Sequence, residues 1–75
     1  MKKLNELKPG QRATIAGVTG DTRFLTRVIS IGLTVGSKVE MLRNESKMPL
    51  LLYGRDSVVA LNRQDCGNIM VEVSA

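Results

Sequence analysis

The 75 residues are enough for one domain with a modest core, and the hydrophobic fraction of 43% suits a globular fold. Cys66 is the single cysteine, which excludes an intrachain disulfide and gives no indication of secretion. The net charge of +4 permits an anionic partner, but no block of about five or more like charges occurs, which favours a mixed-sign solvated surface over a nucleic-acid groove.

Neither a signal peptide nor a membrane span is indicated. The opening MKKLNELKPG is basic at its tip but lacks the apolar run of a signal peptide. No segment approaches the roughly 18 apolar residues that a membrane-spanning helix needs. We therefore expect a cytoplasmic protein that forms one domain over residues 1–75.

The first predicted elements are a turn and a strand within KPGQRATIAGV. Pro9 and Gly10 suit the two central positions of a tight turn, because Pro pre-sets its φ angle and Gly tolerates a positive one. Ala13 and Ile15 then alternate with Thr14 and other residues of the opposite side, which predicts a half-buried strand.

A helix is predicted in GDTRFLTRVISIG. Asp21 is a good N-cap, and Gly32 is a natural C′ residue in the left-handed conformation. Four apolar residues recur at helical spacing and would form one core-facing side: Phe24, Leu25, Val28 and Ile29. A strand over RVISI stays open as an alternative, because several of these residues are β-branched.

The second half of the chain predicts strands separated by short turns. SKVEMLR alternates with Val39 and Met41 on one side, and a polar loop, NESKM, follows. PLLLYGRDSVVALN predicts a hairpin whose tight turn has Gly54 and Arg55 at its centre. RQDCG predicts a single helical turn, and NIMVEV predicts a short final strand.

These elements predict a mainly β protein with about five strands and one α-helix inserted after the first strand. Five short, curved strands in so few residues suggest a small closed barrel, which leaves few exposed edges. An OB-fold normally has its helix between the third and fourth strands, whereas this helix follows the first. The sequence therefore favours an SH3-like β-barrel.

One short pattern occurs twice. LKPGQRA, residues 7–13, and LTVGSKV, residues 33–39, share a leucine, a glycine three positions later, and then a polar, a basic and an apolar residue. We interpret each copy as a leucine that inserts into the core, a tight glycine turn and a strand that enters the barrel.

No residue pattern indicates catalysis or a bound cofactor. The chain has no histidine, which removes the commonest general base and metal ligand. Cys66 has no Cys or His neighbour in sequence and is predicted to fill space under a turn. GVTGDT lacks the lysine and hydroxyl of a P-loop. We therefore expect no enzyme activity, no catalytic, cofactor or metal residues and no small-molecule substrate.

The remaining candidate for a functional site is a surface that binds another protein. Arg23 and Arg27 are four residues apart and share a helix face, and Lys38 could lie near the helix end. Leu33 and Val35 are apolar residues in a short corner. These five residues are the predicted partner-binding set, since apolar and basic residues together suit a protein interface. The alternative for Leu33 is burial against the end of the helix.

The ordered set of motifs resembles the family of ferrous iron transport protein A, FeoA. The resemblance covers nearly the whole chain. Its parts are Leu7-Lys8-Pro9-Gly10, Gly20-Asp21, Ile31-Gly32-Leu33 with Gly36, Val59-Ala60-Leu61 and Ile69-Met70-Val71-Glu72.

The resemblance implies an SH3-like barrel with an inserted helix and a cytoplasmic accessory protein of bacterial ferrous iron uptake. It also implies a partner, the membrane transporter FeoB, which has a cytoplasmic GTP-binding domain. Similar domains serve as interaction modules in iron-dependent repressors, which is an alternative function, as is nucleic-acid binding by a small β-barrel. Nucleic acid is the less favoured partner, because Tyr53 has no aromatic companion for base stacking. An exposed strand edge would allow a homo-oligomer.

The chain departs from the family pattern at two places. The family usually has proline before the second glycine of the corner, where this chain has Val35. The family often has Pro-Leu-Gly-x-Pro in the loop between the middle strands, whereas residues 44–49 here read NESKMP. If that loop touches the partner, its contacts in this chain must differ.

Overall fold

The computed structural model describes residues 1–74, which form a curved antiparallel β-sheet with an inserted helix. The strands are β1 (Lys2–Lys3), β2 (Arg12–Val18), β3 (Lys38–Arg43), β4 (Leu50–Gly54), β5 (Ser57–Leu61) and β6 (Ile69–Val73). The helices are α1 (Thr22–Ser30) and the single turn α2 (Arg63–Cys66), and a 3-10 turn spans Leu4–Glu6. The predicted fold class, a mainly β SH3-like barrel with an inserted helix, is confirmed. The sheet has six strands instead of about five, and α1 follows β2 because the short β1 precedes the strand that was predicted as the first.

The strand order in the sheet is β1-β6-β2-β3-β4-β5, and all neighbouring pairs are antiparallel. The register shifts between Ile15 and Gly17 in β2 and between Met41 and Arg43 in β3. Because bulges bend a strand and increase its twist, these two positions curl the sheet around its core. The edge strand β1 was not predicted, since it consists of two exposed lysines without any apolar alternation.

The core is aliphatic and is drawn from every long element. Ala13 and Ile15 of β2 and Val39 and Met41 of β3 are buried, as the alternation predicts. The other buried side chains are Leu4, Leu7, Val28, Leu33, Leu50, Leu52, Leu61, Cys66, Ile69 and Val71. No polar or charged residue among those described is buried as a whole, so the side chains of the core are all apolar.

Helix α1 begins and ends as the sequence predicts. The Asp21 carboxylate accepts a hydrogen bond from the Phe24 N–H at 2.8 Å. At the other end Gly32 has φ +90°, and the Leu33 N–H donates to the Val28 carbonyl at 3.0 Å. This is a Schellman end, and its usual apolar contact is available because Val28 and Leu33 are both buried. The alternative strand over RVISI is therefore wrong.

The predicted composition of the helix's buried side is partly wrong. Val28 is buried and Phe24 and Leu25 are half-buried, but the Ile29 side chain is 61% exposed. The core stripe instead continues to Ile31, which packs against the core from the last turn. Phe24, Val28 and Ile31 follow the spacing i, i+4, i+7 of one face, whereas Ile29 lies beside that stripe.

The β4–β5 turn differs by one residue from the prediction. Gly54 pairs with Ser57 in the ladder, and the two central turn residues are Arg55 and Asp56, with φ +52° and +61°. Positive φ at both central positions is the type I′ turn that matches the twist of a two-residue hairpin.

The loop between β3 and β4 is tied to the start of the chain by one asparagine. The Asn44 side-chain amide donates to the carbonyls of Asn5 and Leu7 at 3.0 and 2.6 Å. A guanidinium nitrogen of Arg63 donates to the Asn44 side-chain oxygen at 2.5 Å and to the Glu45 carbonyl at 2.7 Å. These bonds hold the loop where the chain departs from the family's proline pattern.

Candidate partner-binding surface

The corner between α1 and β3 separates its two apolar residues. Leu33 retains only 2% of its exposure and packs in the core, whereas Val35 is 66% exposed at the tip of the turn. The turn is closed by the Ser37 N–H, which donates to the Thr34 carbonyl at 2.9 Å. Leu33 is thus a core residue in this fold, as the alternative of burial against the helix end predicts, and it is not an exposed member of the predicted set. Val35 is presented to solvent.

Val35 borders a shallow apolar groove beside helix α1. The groove has a volume of about 160 Å³, and its lining residues are Val18, Leu25, Val28, Ile29, Leu33, Thr34 and Val35. Its outer walls are the exposed side chains of Ile29 and Val35, and Val28 and Leu33 form its floor. Ile29 and Leu25 are functional candidates that the sequence reasoning placed in the core.

Two cations adjoin the corner. Lys38 and Arg55 line a polar hollow together with Thr34, Val35, Gly36 and Ser37. The ion pairs found within residues 1–74 are Arg12–Glu40 and Arg27–Asp65, so neither Lys38 nor Arg55 is neutralised there by a carboxylate. The corner therefore combines exposed apolar side chains with uncompensated positive charge.

Arg55 reaches this corner because Gly32 leaves room for it. A Cβ atom at position 32 would lie 2.8 Å from the Arg55 Cδ. The aliphatic part of Arg55 therefore crosses the end of α1. The predicted turn at Gly54-Arg55 indicated that Arg55 is exposed. The sequence could not indicate that Arg55 lies beside Gly32, because the two residues are far apart in the chain.

The two helix arginines lie away from the corner. Arg23 and Arg27 are each two positions from Leu25, which is about 160° around an α-helix. The Arg27 guanidinium donates a hydrogen bond to the Asp65 carboxylate in α2, and its central carbon lies 5.7 Å from the Phe24 ring centroid. The structure thus brings Val35 and Lys38 together and places Arg23 and Arg27 on a different flank, where Arg23 is exposed and Arg27 ties α1 to α2.

The described residues offer neither an activated nucleophile nor a cluster of metal ligands. Cys66 is buried, and desolvation by burial, followed by the Asp65 charge, raises the pKa of its thiol from 9.0 to about 12. A neutral, buried thiol is a poor nucleophile and a poor ligand. Across residues 1–74 no three His, Cys, Asp or Glu side chains cluster as a metal site would require.

Among the helices of residues 1–74, none has the length and apolar character that crossing a membrane requires.

Fold and surface together define the class of protein: a small SH3-like barrel with an inserted helix and an exposed apolar and basic corner. The FeoA domain model matches residues 2–73, and the chain therefore belongs to the FeoA family.

Similarity to individual proteins agrees with this assignment. An Fe(2+) transport protein A of Methanocaldococcus jannaschii is 28% identical over 65 residues, which are 87% of this chain and 78% of that protein. The solution structure of FeoA from Chlorobium tepidum superposes with a TM-score of 0.88 at 28% identity, covering 99% of this chain and 71% of that one. Zinc-complexed FeoA of Stenotrophomonas maltophilia, an SH3 domain protein, has a TM-score of 0.81 at 21% identity over 96% and 91% of the two chains.

Proposed function

We propose that this chain is a cytoplasmic accessory protein of ferrous iron transport that acts by binding the cytoplasmic part of a FeoB-type transporter. Membership of the FeoA family supports the link to ferrous iron transport. The observation that carries the binding role is the exposed groove at Val35 and Ile29 with two unneutralised cations beside it. The chain works by association and performs no chemistry of its own.

The contact surface has the composition of an interface centre with a charged rim. Ile29 and Val35 are the apolar anchors, because each exposes more than half of its side chain to water. Burying such surface in a partner is favourable by about 25 cal/mol per Å². Lys38 and Arg55 select an acidic partner and speed the encounter, with Arg23 contributing to the approach from the neighbouring flank. Arg27 acts indirectly through its bond to Asp65.

The test is co-purification of the transporter with this protein, carried out with a matched pair of variants. Val35→Glu places a carboxylate at the centre of the proposed contact and is expected to weaken binding by at least about tenfold, as loss of an interface anchor does. Val58→Glu makes the same change at an equally exposed valine, 59% against 66%, away from the groove and is expected to bind normally.

The cellular readout is ferrous iron uptake in a strain that lacks this gene. Re-expression of the wild type or of Val58→Glu should restore uptake, and Val35→Glu should not. Equal binding and equal uptake for the two variants would contradict the proposal that the groove is the contact surface. Normal uptake without the gene, together with no detectable association, would overturn the function itself.

A further inference from the structure

The turn between α1 and β3 borders a polar hollow that is distinct from the apolar groove. Its volume of about 480 Å³ is within the range of about 300–1,000 Å³ that small-molecule sites occupy. The groove shares only Thr34 and Val35 with this hollow. We call it the turn hollow, and its lining residues are Thr34, Val35, Gly36, Ser37, Lys38 and Arg55.

Hydrogen bonds hold the turn in one shape. Gly36 has φ +94°, and the Ser37 N–H donates to the Thr34 carbonyl at 2.9 Å, which matches a type II turn. The Ser37 hydroxyl accepts from the Thr34 N–H at 3.2 Å and donates to the Gly32 carbonyl at 3.3 Å. Because the turn is already ordered, a ligand would not have to order it on binding.

Lys38 and Arg55 give the turn hollow two positive charges, and no carboxylate lines it. Both residues also line a neighbouring hollow, whose other charged residues are Arg12, Glu40 and Asp56. There the Glu40 carboxylate lies 3.2 Å from the Arg12 guanidinium. The Asp56 carboxylate accepts a hydrogen bond from the Tyr53 hydroxyl at 3.4 Å. Within residues 1–74 neither carboxylate forms an ion pair with Lys38 or Arg55, so both cations remain available.

The same turn offers an unused backbone donor. The Val35 N–H donates no hydrogen bond within residues 1–74. The chain departs from the family pattern at this position, and the proline that is usual there would have no N–H to donate. A Cβ atom at Gly36 would meet no other atom within 4 Å, so the approach to the turn is open. Two cations and a free N–H, with no carboxylate, are the donor set of a site for an oxyanion.

We propose that the turn hollow binds a phosphate monoester, with Lys38 and Arg55 neutralising the phosphate and the Val35 N–H donating to one of its oxygens. Such a phosphate carries a charge of about −1.5 to −2 at pH 7, which matches two cations, whereas a carboxylate would leave one unmatched. Arg55, whose aliphatic part packs across Gly32, can donate two parallel bonds, and Lys38 acts as a point charge. The rest of the volume accommodates the organic part of the ester. This site goes beyond the proposed function, since it requires no transporter.

The first test is a titration of the protein with inorganic phosphate at about pH 7.5 and constant ionic strength, followed by amide chemical shifts. We expect saturable shifts at residues 34–38 and 55, with a dissociation constant of about 1 mM. Lys38→Gln and Arg55→Gln should each weaken binding by at least about fivefold, because each removes a charge-assisted contact. Lys47→Gln removes an exposed cation in the β3–β4 loop and should bind phosphate as the wild type does.

A pair of substitutions at Val35 tests the backbone donor while both cations stay in place. Val35→Pro removes the N–H at a position where proline suits a type II turn, so the circular dichroism spectrum should remain that of the folded protein. Val35→Ala also shortens the side chain but keeps the N–H. Val35→Pro should therefore bind phosphate about fivefold more weakly than Val35→Ala. Equal affinities would contradict the assigned donor.

Vesicles distinguish the two sources of a phosphate monoester, a lipid headgroup and a soluble ester. The probe is phosphatidylcholine vesicles with about 20% phosphatidic acid, whose headgroup is a phosphate monoester. Co-sedimentation that Lys38→Gln abolishes would assign the headgroup, and phosphate binding without co-sedimentation would assign a soluble ester.

Two results would overturn the phosphate site. One is shifts that stay linear up to about 20 mM phosphate, and the other is equal affinity in the wild type, Lys38→Gln and Arg55→Gln. Ile29→Ala removes an anchor of the groove and should leave phosphate binding unchanged. The phosphate site and the transporter contact can therefore fail independently.

Discussion

Leu33 and Val35 show how two neighbouring apolar residues acquire opposite roles. Leu33 belongs to the end of α1 and enters the core, whereas Val35 lies within the turn that starts at Thr34 and points to solvent. From sequence both were candidates for a partner contact. Burial of Leu33 follows from the Schellman end of α1, in which the residue after the glycine packs back onto the last helical turn.

This assignment predicts unequal costs for two alanine substitutions. Leu33→Ala should lower the free energy of unfolding by about 2–5 kcal/mol, because it removes a fully packed leucine and leaves a cavity. Val35→Ala should change it by less than about 0.5 kcal/mol, as expected for an exposed position. Urea denaturation followed by circular dichroism measures both. Similar values for the two variants would contradict the burial of Leu33.

At the scale of elements, the two copies of the leucine–glycine pattern form equivalent structures. In the first copy Leu7 is buried, and the Gln11 N–H bonds to the Lys8 carbonyl at 3.0 Å across a turn with Gly10 at φ +89°. In the second copy Leu33 and the turn with Gly36, at φ +94°, repeat this arrangement.

The paired strands relate these two turns by an approximate two-fold axis. Residues i and i+26 correspond in the two patterns, and Ala13 pairs directly with Val39, so the axis passes between them. The Gly10 N–H accordingly donates to the Met41 carbonyl at 2.7 Å, and the Gly36 N–H donates to the Ile15 carbonyl at 2.8 Å. The repeat detected in sequence is therefore a local symmetry of the β2–β3 pair.

The symmetry predicts matched effects of alanine at the two turn glycines. Gly10→Ala and Gly36→Ala should each cost about 1–2 kcal/mol, since both need a left-handed backbone while a Cβ would have no neighbour within 4 Å. Gly17→Ala is the control, because that Cβ is equally unobstructed without a left-handed backbone. It should be neutral or stabilising by up to about 1 kcal/mol. Costs that differ by more than about 1 kcal/mol between the two turns would argue against their equivalence.

For the whole molecule, local sequence patterns were sufficient to predict the fold but not the composition of the partner-binding surface. Alternation and end signals located the long strands and α1, because each depends on neighbours in sequence. The prediction for Ile29 was wrong because the four apolar residues of α1 spread over more than one side of the helix, and only the packing of α1 on the barrel decides which side is covered. Arg55 joined the corner through a long-range contact with Gly32. Neither outcome can be read from spacing alone.

The buried thiol of Cys66 should make the whole fold less stable at alkaline pH. The folded-state pKa is about 12 and the unfolded-state value is 9.0, so above pH 9 the unfolded chain releases a proton that the folded chain retains. The free energy of unfolding should therefore be unaffected by this group below pH 9 and should fall by about 1.4 kcal/mol per pH unit above it, until the folded thiol ionises.

Urea denaturation under reducing conditions at pH 8 and pH 10 measures this loss, with Cys66→Ala as the control. Lysine and tyrosine titration affects both proteins alike, so the difference between them isolates the thiol. The wild type should lose about 1.4 kcal/mol more than the variant between the two pH values, because one pH unit of that interval lies above the unfolded pKa. Equal losses would mean that the thiol ionises as readily in the fold as in water, and that Cys66 is accessible rather than part of the core.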